Sequence, residues 1–239
     1  MENQLRQLLL DNGASLVGFA CVEGLYAKPD FSGAVPFTIP EYPRAVAIAI
    51  AIPRDVVRGI AQAPTMAYFE AYHSLNRKLD ELGVLCAEYI RKAGYRAYAQ
   101  TVSAAREYGV YRTILPHKTA ALHAGLGWIG KSALLITEQY GGAQRLTSVL
   151  TDAPLSSYDG YRQPRCGGCM VCAEACPGNA ISGRLWNIED DRDIYFDAIA
   201  CRSAALEISA KSLGNAVTLC GKCIEICPYT RRYLRGSDV

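Results

Sequence analysis

Eight of the ten cysteines lie in the last third of the chain, between Cys166 and Cys227, while Cys21 and Cys86 stand apart. No export signal precedes them, and cytosolic thiols are kept reduced, which disfavours a disulfide scaffold. Structural cysteines would be scattered along the chain, whereas cysteines that bind a shared metal centre are clustered. The distribution therefore predicts metal binding in the C-terminal part of the chain.

The first group of cysteines follows the spacing C-x2-C-x2-C-x3-C-P, through Cys166, Cys169, Cys172 and Cys176. This spacing is typical of bacterial ferredoxins, in which three thiolates wrap one face of a 4Fe–4S cubane. Zinc also binds C-x2-C pairs, but a zinc site uses four ligands in two pairs. The additional C-x2-C step and the C-x3-C-P ending favour an iron–sulfur cluster.

The second group is Cys220, Cys223 and Cys227, and Val217 stands where a preceding cysteine is expected. Cys201, nineteen residues before Cys220, is the remaining cysteine that replaces it, although an unligated buried thiol is the alternative. In two-cluster ferredoxins, the fourth cysteine of a run ligates the other cluster. We therefore predict two clusters that pass single electrons, one held by Cys166, Cys169, Cys172 and Cys227 and the other by Cys176, Cys201, Cys220 and Cys223.

The elements that must position these residues alternate between helices and strands without strict βαβ order, which predicts an α+β fold. Periodicity predicts helices over 3–12, 68–93 and 118–124, and strands over 15–21, 45–52, 95–102, 132–136 and 145–150. The chain becomes loop-rich after Ser156. We therefore expect one domain over 1–156 and a second over 157–239.

A glycine-rich segment from Gly125 to Ser132 matches the P-loop pattern G-x-x-x-x-G-K-[ST]. A P-loop follows a buried strand and opens a helix, whereas here a helical pattern precedes and a strand pattern follows. Trp128 and Ile129 also fill the part of the loop where phosphate needs open backbone. Nucleotide binding and a purely structural turn are the alternatives to a loop that cradles another cofactor.

Composition excludes several classes of protein. Lys and Arg total 25 against 23 Asp and Glu, so the chain is not a strongly basic nucleic-acid coat. The longest apolar stretch, 45–52, is short of the roughly 20 residues that a membrane span needs. The N-terminus lacks the features of a signal peptide, so we expect a cytoplasmic protein with no membrane partner.

Five motifs, in their order along the chain, resemble the epoxyqueuosine reductases: GLGWIGK, LTDAPL, CGGCMVCAEACP, FDAIAC and CGKCIEICP. These are cobalamin-dependent iron–sulfur enzymes related to reductive dehalogenases. The resemblance also covers SLVGFA, PRAVAIAIAIP and the Tyr72-His73 pair. It implies a nitroreductase-like α+β domain that binds cobalamin, followed by a ferredoxin-like domain with two 4Fe–4S clusters.

The resemblance also implies which residues contact the corrinoid. These are Tyr72, His73, Lys118, Gly125, Gly127, Trp128, Gly130 and Lys131. The chain has no D-x-H-x-x-G motif to supply a histidine to cobalt, so the expected form is base-off cobalamin. An external electron donor of the ferredoxin or flavodoxin type is the implied partner.

Two departures from the family bear on the substrate. Family members that act on tRNA carry a catalytic aspartate fourteen residues before the first glycine of GLGWIGK, and here that position is Tyr111. A phenol beside a cation, Arg112 or Lys118, is suited to act as a general acid. The chain also ends eleven residues after Pro228, without the helical-repeat extension associated with tRNA recognition.

We therefore predict an oxidoreductase that passes electrons from two clusters to a corrinoid to reduce a substrate other than epoxyqueuosine in tRNA. That substrate is a small molecule or a corrinoid protein. One alternative is an electron-transfer or activating protein that reduces a partner's corrinoid. Another is a true tRNA epoxyqueuosine reductase.

Overall fold

The computed structural model describes residues 1–25, 42–102, 113, 115–158, 160 and 162–236, and it divides into two compact units. The sheet unit comprises Met1–Ile50, Leu75–Leu126 and Arg145–Arg162, and the cysteine unit comprises Ala51–Ser74, Gly127–Gln144 and Gln163–Val239. The units interleave along the chain, whereas the sequence predicts one boundary after residue 156. That domain boundary remains a prediction.

The helices and strands mix along the chain, which confirms a mixed α and β fold. The helices are α1 (Glu2–Asp11), α2 (Arg54–Gly59), α3 (Met66–Lys92), α4 (His117–His123), α5 (Val171–Glu174), α6 (Ala198–Leu213), α7 (Lys222–Glu225) and α8 (Pro228–Leu234). The strands are β1 (Leu16–Cys21), β2 (Arg44–Ala51), β3 (Ala97–Ala99), β4 (Trp128–Ile129), β5 (Leu135–Ile136) and β6 (Gln144–Thr151). None of the helices in the described ranges is long and apolar enough to cross a membrane.

A four-stranded sheet in the order β1-β2-β6-β3 forms the centre of the sheet unit. β1 runs antiparallel to β2, with Leu16 opposite Ala49 and Cys21 opposite Arg44. β3 runs antiparallel to β6. The alternation of alanine with branched residues along β2 gives it a continuous buried stretch, as expected of a strand with both faces covered.

The core of the sheet unit forms between this sheet and the apolar faces of two helices. Leu79, Leu82 and Ile90 of α3 recur at helical spacing and are almost fully buried. Leu5 and Leu9 of α1 have no exposed surface and belong to the same core. The apolar stripes found in the sequence therefore mark the buried faces of both helices.

The cysteine unit is built from short elements and one longer helix. α6 begins after Asp197, whose carboxylate accepts hydrogen bonds from the amides of Ile199 and Ala200. It ends at Gly214, whose φ of 70° is the left-handed conformation that glycine adopts at low cost. β4 and β5 pair as an antiparallel hairpin.

The observed elements differ from the sequence prediction at particular places. The glycine-rich segment 125–131, predicted as a turn, contains the strand β4, because Trp128 and Ile129 are buried and pair with β5. β3 is shorter than the predicted strand 95–102. The sequence patterns do not predict α2 or α6, since α2 has only six residues and α6 lies in a stretch rich in alanine and serine.

Candidate metal centre

The eight clustered cysteines all lie within the cysteine unit, in or beside three short helices, the longer helix α6 and the turn that precedes α5. Cys172 lies in α5 and Cys176 follows it, while Cys201 lies in the first turn of α6. Cys223 lies in α7, and Cys227 is the N-cap of α8. Two C-x2-C steps, Cys169–Cys172 and Cys220–Cys223, each place one cysteine before a short helix and one inside it. Thiols from separate elements thereby come together.

The first predicted ligand set lies around one cavity. Cys166, Cys169, Cys172 and Cys227 all line it, together with Cys223. Burial, with a smaller effect of the nearby thiols of Cys166, Cys227 and Cys169, raises the pKa of the Cys172 thiol to about 11. A metal centre that binds these sulfurs must therefore displace their protons, as thiolate ligation requires.

The second predicted ligand set forms a separate group. Burial, with smaller effects of Cys176 and Cys220, raises the pKa of the Cys201 thiol to about 11. Burial also raises the pKa of Cys223, and the thiols of Cys201 and Cys220 act in the same direction. Cys172 of the first set also acts on Cys223, so the two groups are neighbours.

Backbone amides point at sulfurs of both groups. The amide of Ala180 donates to Cys176 Sγ at 3.3 Å. Burial raises the pKa of Cys227, while amides of Thr230 and Tyr229 in the first turn of α8 act in the opposite direction. Such N–H···S bonds stabilise negative charge on the sulfur and are one of the determinants of the potential of an iron–sulfur cluster.

The cavity between the cysteines bears on the choice between zinc and a cluster. A zinc ion draws its sulfurs to about 2.3 Å from the metal, which leaves no open space between them. The open, thiol-lined cavity fits a multi-iron cluster.

The end of the glycine-rich segment forms another wall of the same cavity. Gly130, Lys131 and Ser132 line it, in the turn that joins β4 to β5. The segment that follows Lys131 is the strand β5, so it lacks the helix that a P-loop opens. Lys131 is 6% exposed, and its Nζ lies 3.5 Å from Met170 Sδ.

Trp128 is enclosed by side chains of the cysteine unit. It has no exposed surface, and its ring meets the ring of Tyr229 edge-on at 4.7 Å. The Arg165 guanidinium lies 5.4 Å from its ring centroid, a cation–π contact. Its indole N–H is buried and donates to no acceptor among the described residues.

Close packing explains why glycine is required at three of the predicted corrinoid positions. A Cβ at Gly127 would lie 2.1 Å from the backbone oxygen of Ile136, and one at Gly130 would lie 2.8 Å from an Ile136 side-chain carbon. Gly125 has a φ of 69°, and a Cβ there would lie 2.6 Å from the ring of Tyr158. These neighbours are protein atoms, so the glycines fit a structural requirement of each unit.

The remaining predicted corrinoid residues are distributed over both units. Tyr72 and His73 lie on α3 in the cysteine unit, where the His73 ring meets Phe69 at 4.5 Å and Tyr72 at 5.3 Å. Lys118 lies in α4 of the sheet unit. Tyr111, predicted as the general acid, and its neighbour Arg112 lie outside the described residues.

Sequence reasoning gave no role to His117, which the structure places in a polar cluster of the sheet unit. Its Nδ1 lies 2.9 Å from Ser148 Oγ, and the side-chain amide of Gln100 donates to the same hydroxyl at 2.6 Å. Burial, with a smaller effect of the Arg145 charge, lowers the pKa of His117 to about 4. The sequence carries no signal for this cluster, since its members are far apart along the chain.

Comparison with known proteins identifies the class of the cysteine-rich segment. Residues 165–230 match the family model of the 4Fe-4S double cluster binding domain. This stretch contains all eight of the clustered cysteines. The segment is thus similar to domains that bind two 4Fe–4S clusters.

Curated relatives extend the likeness beyond that segment. The epoxyqueuosine reductase of Synechocystis sp. is 29% identical over 175 residues, which cover 72% of this chain and 56% of that protein. The epoxyqueuosine reductase of Synechococcus sp. is 31% identical over 169 residues, which cover 70% and 49%. The chain is related to the epoxyqueuosine reductases, which confirms the resemblance found in its sequence. The chain spans about half the length of these curated relatives.

Solved structures share the fold. An epoxyqueuosine reductase in complex with an epoxyqueuosine-modified tRNA stem loop matches with a TM-score of 0.61 at 21% identity, over 100% of this chain and 66% of that one. The catabolic reductive dehalogenase NpRdhA, in complex with 3-bromo-4-hydroxybenzoic acid, matches with a TM-score of 0.72 at 21% identity. That match covers 97% of this chain and 32% of the dehalogenase.

Proposed function

We propose that the protein is an oxidoreductase in which two 4Fe–4S clusters supply single electrons for the reduction of a substrate. The observation that carries this proposal is the gathering of eight cysteine thiols into two neighbouring groups of four. We assign Cys166, Cys169, Cys172 and Cys227 to the first cluster and Cys176, Cys201, Cys220 and Cys223 to the second. The relationship to the epoxyqueuosine reductases supports a reductive activity.

The second element of the proposal is a bound corrinoid, held by the nitroreductase-like part of the chain within 1–156. A solved reductive dehalogenase with the same fold, described in terms of B12-dependent dehalogenation, supports this element. A corrinoid supplies a cobalt centre that transfers electrons in pairs or singly to a substrate, while the protein contributes binding and orientation. The packing around Gly127, Trp128, Gly130 and Lys131 does not add support, because protein atoms already surround these residues.

For the substrate we propose a molecule other than epoxyqueuosine in tRNA, protonated by Tyr111 during reduction. The support is the phenol at the position where tRNA-acting family members carry an aspartate. An unperturbed tyrosine has a pKa near 10 and is protonated at neutral pH, whereas an aspartate at about 3.9 is ionised. Electrons reach the clusters from an external donor of the ferredoxin or flavodoxin type.

Anaerobic purification followed by iron and sulfide analysis tests the cluster proposal. We expect about eight irons and eight sulfides per chain, as two 4Fe–4S clusters require. A subsequent titration with hydroxocobalamin, followed by its optical spectrum, tests the corrinoid. Two zinc ions in place of iron would contradict the first element, and an unchanged corrinoid spectrum would contradict the second.

The second candidate function is reduction of epoxyqueuosine in tRNA. Curated relatives that carry this name favour it. Incubation of the reduced protein with epoxyqueuosine-containing tRNA, followed by nucleoside analysis, distinguishes the candidates. Formation of queuosine would establish the tRNA activity and would overturn the proposal of a different substrate.

A further inference from the structure

Lys131 is buried to a degree that is rare for a lysine. Only 6% of its surface is exposed, although lysine normally keeps its ammonium group in water. It lies in the turn between β4 and β5, which is held by hydrogen bonds from the Gly130 amide to Leu134 O and from the Ala133 amide to Gly130 O, both of 2.9 Å. The turn therefore fixes the backbone from which the side chain enters the protein.

The ammonium group has a weak partner within the protein. Its Nζ lies 3.5 Å from Met170 Sδ, and a thioether is a weak, uncharged acceptor. None of the carboxylates in the described ranges forms an ion pair with it. Burial disfavours the charged form of a lysine, so this ammonium group stays charged only beside a negative charge, and no carboxylate of the described residues supplies one.

The cavity that Lys131 lines supplies that charge when a cluster is bound. Cys166, Cys169, Cys172 and Cys227 line the same cavity, and Met170 lies between two of these cysteines in the sequence. Four thiolates carry more negative charge than a 4Fe–4S core carries positive charge, so the bound cluster is an anion. A one-electron reduction adds a further negative charge to it.

We propose that the Lys131 ammonium is the counter-charge of the first cluster and raises the reduction potential of that cluster above the value it would otherwise have. This inference rests on the proposed function, from which the cluster and the external one-electron donor are taken. Reduction transfers one electron from the donor to the cluster and neither makes nor breaks a covalent bond. A fixed cation stabilises the reduced form more than the oxidised form, because net charge is among the determinants of cluster potential. Lys131 thus places a positive charge beside the cluster and does not bind phosphate.

Neutral substitutions at this position test the inference. Lys131→Met keeps the length and apolar stem of the side chain, and Lys131→Gln keeps a polar end, while Lys131→Arg keeps the charge. The matched control is Lys211→Met, since Lys211 lies in the same unit but is 73% exposed and pairs with Glu207. All four proteins and the parent are loaded with clusters anaerobically, and each is titrated by electron paramagnetic resonance at controlled potentials.

We expect the iron content of Lys131→Met and Lys131→Gln to stay at the parent value while one of two reduction steps becomes harder. The equilibrium constant of that step should fall at least tenfold, which corresponds to 59 mV for one electron. The other step should shift less, and Lys131→Arg and Lys211→Met should keep both potentials. These results together would establish the charge effect.

Several outcomes would overturn the inference. Full iron with unshifted potentials in both neutral variants would do so, and would leave the cluster proposal intact. If both neutral variants lose a cluster, Lys131→Arg decides: recovery of iron and potential supports a role for the charge, and failure to recover overturns it. A parent protein that binds no cluster would instead contradict the proposed function itself.

Discussion

The Glu225 carboxylate accepts a hydrogen bond from Arg231 Nη2 at 2.5 Å, and this ion pair joins α7 to α8. Glu225 is 4% exposed, while the side chain of Arg231 is about half exposed. Arg231 Nε also donates to the backbone oxygen of Glu225 at 3.3 Å. Cys223 lies in α7, and Cys227 directly precedes α8. We assign these two cysteines to different clusters. The pair therefore fixes the distance between parts of both sites.

Arg231→Met should lower the free energy of unfolding and should also destabilise the part of the cluster-binding segment that contains α7 and α8. The substitution leaves the buried Glu225 carboxylate with Lys222 Nζ, at 3.7 Å, as its remaining cation among the described residues. Loss of one partner of such a pair costs about 1–3 kcal/mol when the other group stays buried. Denaturant unfolding under anaerobic conditions measures this cost, and the rate of iron loss to a chelator should rise with it.

Arg235→Met is the control for this change, because Arg235 lies at the exposed end of α8. It removes the same charge without touching the Glu225 carboxylate. Equal unfolding free energies for the two variants would show that the effect arises from net charge and not from the buried pair.

Gly127→Ala should disrupt the hairpin that forms one wall of the first cluster site. A Cβ at this position would lie 2.1 Å from the backbone oxygen of Ile136, which cannot move without breaking the pairing of β4 with β5. Overpacking of this kind costs about 1–3 kcal/mol or more. Thermal unfolding and iron content measure the result.

The matched change is Gly59→Ala, in the same unit, where the nearest atoms to the new Cβ lie at 3.7 Å or beyond. Gly59 lies at the end of α2, so alanine there should leave stability unchanged or raise it slightly. A Gly127→Ala variant as stable as Gly59→Ala would contradict the packing explanation and would favour a ligand-binding role for the glycine.

Spacing within the sequence was sufficient to predict the elements and groups that depend on local periodicity. α3 spans Met66–Lys92 against a prediction of 68–93, because its apolar stripe is regular over its whole length. The two cysteine groups follow from ferredoxin spacing, and Cys201 was found only by counting the cysteines. The structure brings its thiol close enough to Cys176 and Cys220 to affect its pKa, while its role as a ligand remains a prediction.

Contacts between distant residues account for what the sequence did not reveal. Lys131 and Met170 are 39 residues apart, so nothing in GLGWIGK indicates that its lysine enters a cysteine-lined cavity. The glycines of that motif are required by Ile136 and Tyr158, whose positions depend on the pairing of strands and the path of the chain. α6 has no apolar stripe, since small residues occupy much of its length, and its ends are marked only by Asp197 and Gly214.

Acid should destabilise the protein in part through His117. Its pKa is lowered to about 4 in the folded chain, against about 6.5 for a free histidine, so the unfolded chain binds the proton more readily. The stability that the neutral ring contributes is complete above pH 6.5 and is lost as the pH falls toward 4. This loss amounts to about 2 kcal/mol between pH 7.5 and pH 5.

His117→Gln removes the titrating ring and keeps a side chain able to reach Ser148. Denaturant unfolding at several values between pH 5 and pH 7.5 should therefore show a shallower dependence for the variant than for the parent. Acid also removes clusters by protonating their thiolates, so the comparison depends on the difference between the two proteins at each pH. Parallel curves would contradict the assigned shift.

Cys201→Ser should remove one of the two clusters. Its thiol is the member of the second group that lies outside both ferredoxin-type cysteine motifs, Cys166–Cys176 and Cys220–Cys227, while its neighbours Cys176 and Cys220 each belong to one of them. Without it, the second cluster keeps three of its four assigned ligands, while the first keeps all four. Iron content should fall from about eight to about four per chain, and one of two reduction steps should disappear.

Cys21→Ser is the control, because Cys21 lies in β1 of the sheet unit and accepts a hydrogen bond from Arg44 at 3.0 Å, which a serine oxygen can also accept. That variant should keep all of its iron. Retention of full iron and both steps in Cys201→Ser would show that another group completes the cluster, and would leave Cys201 as a buried thiol.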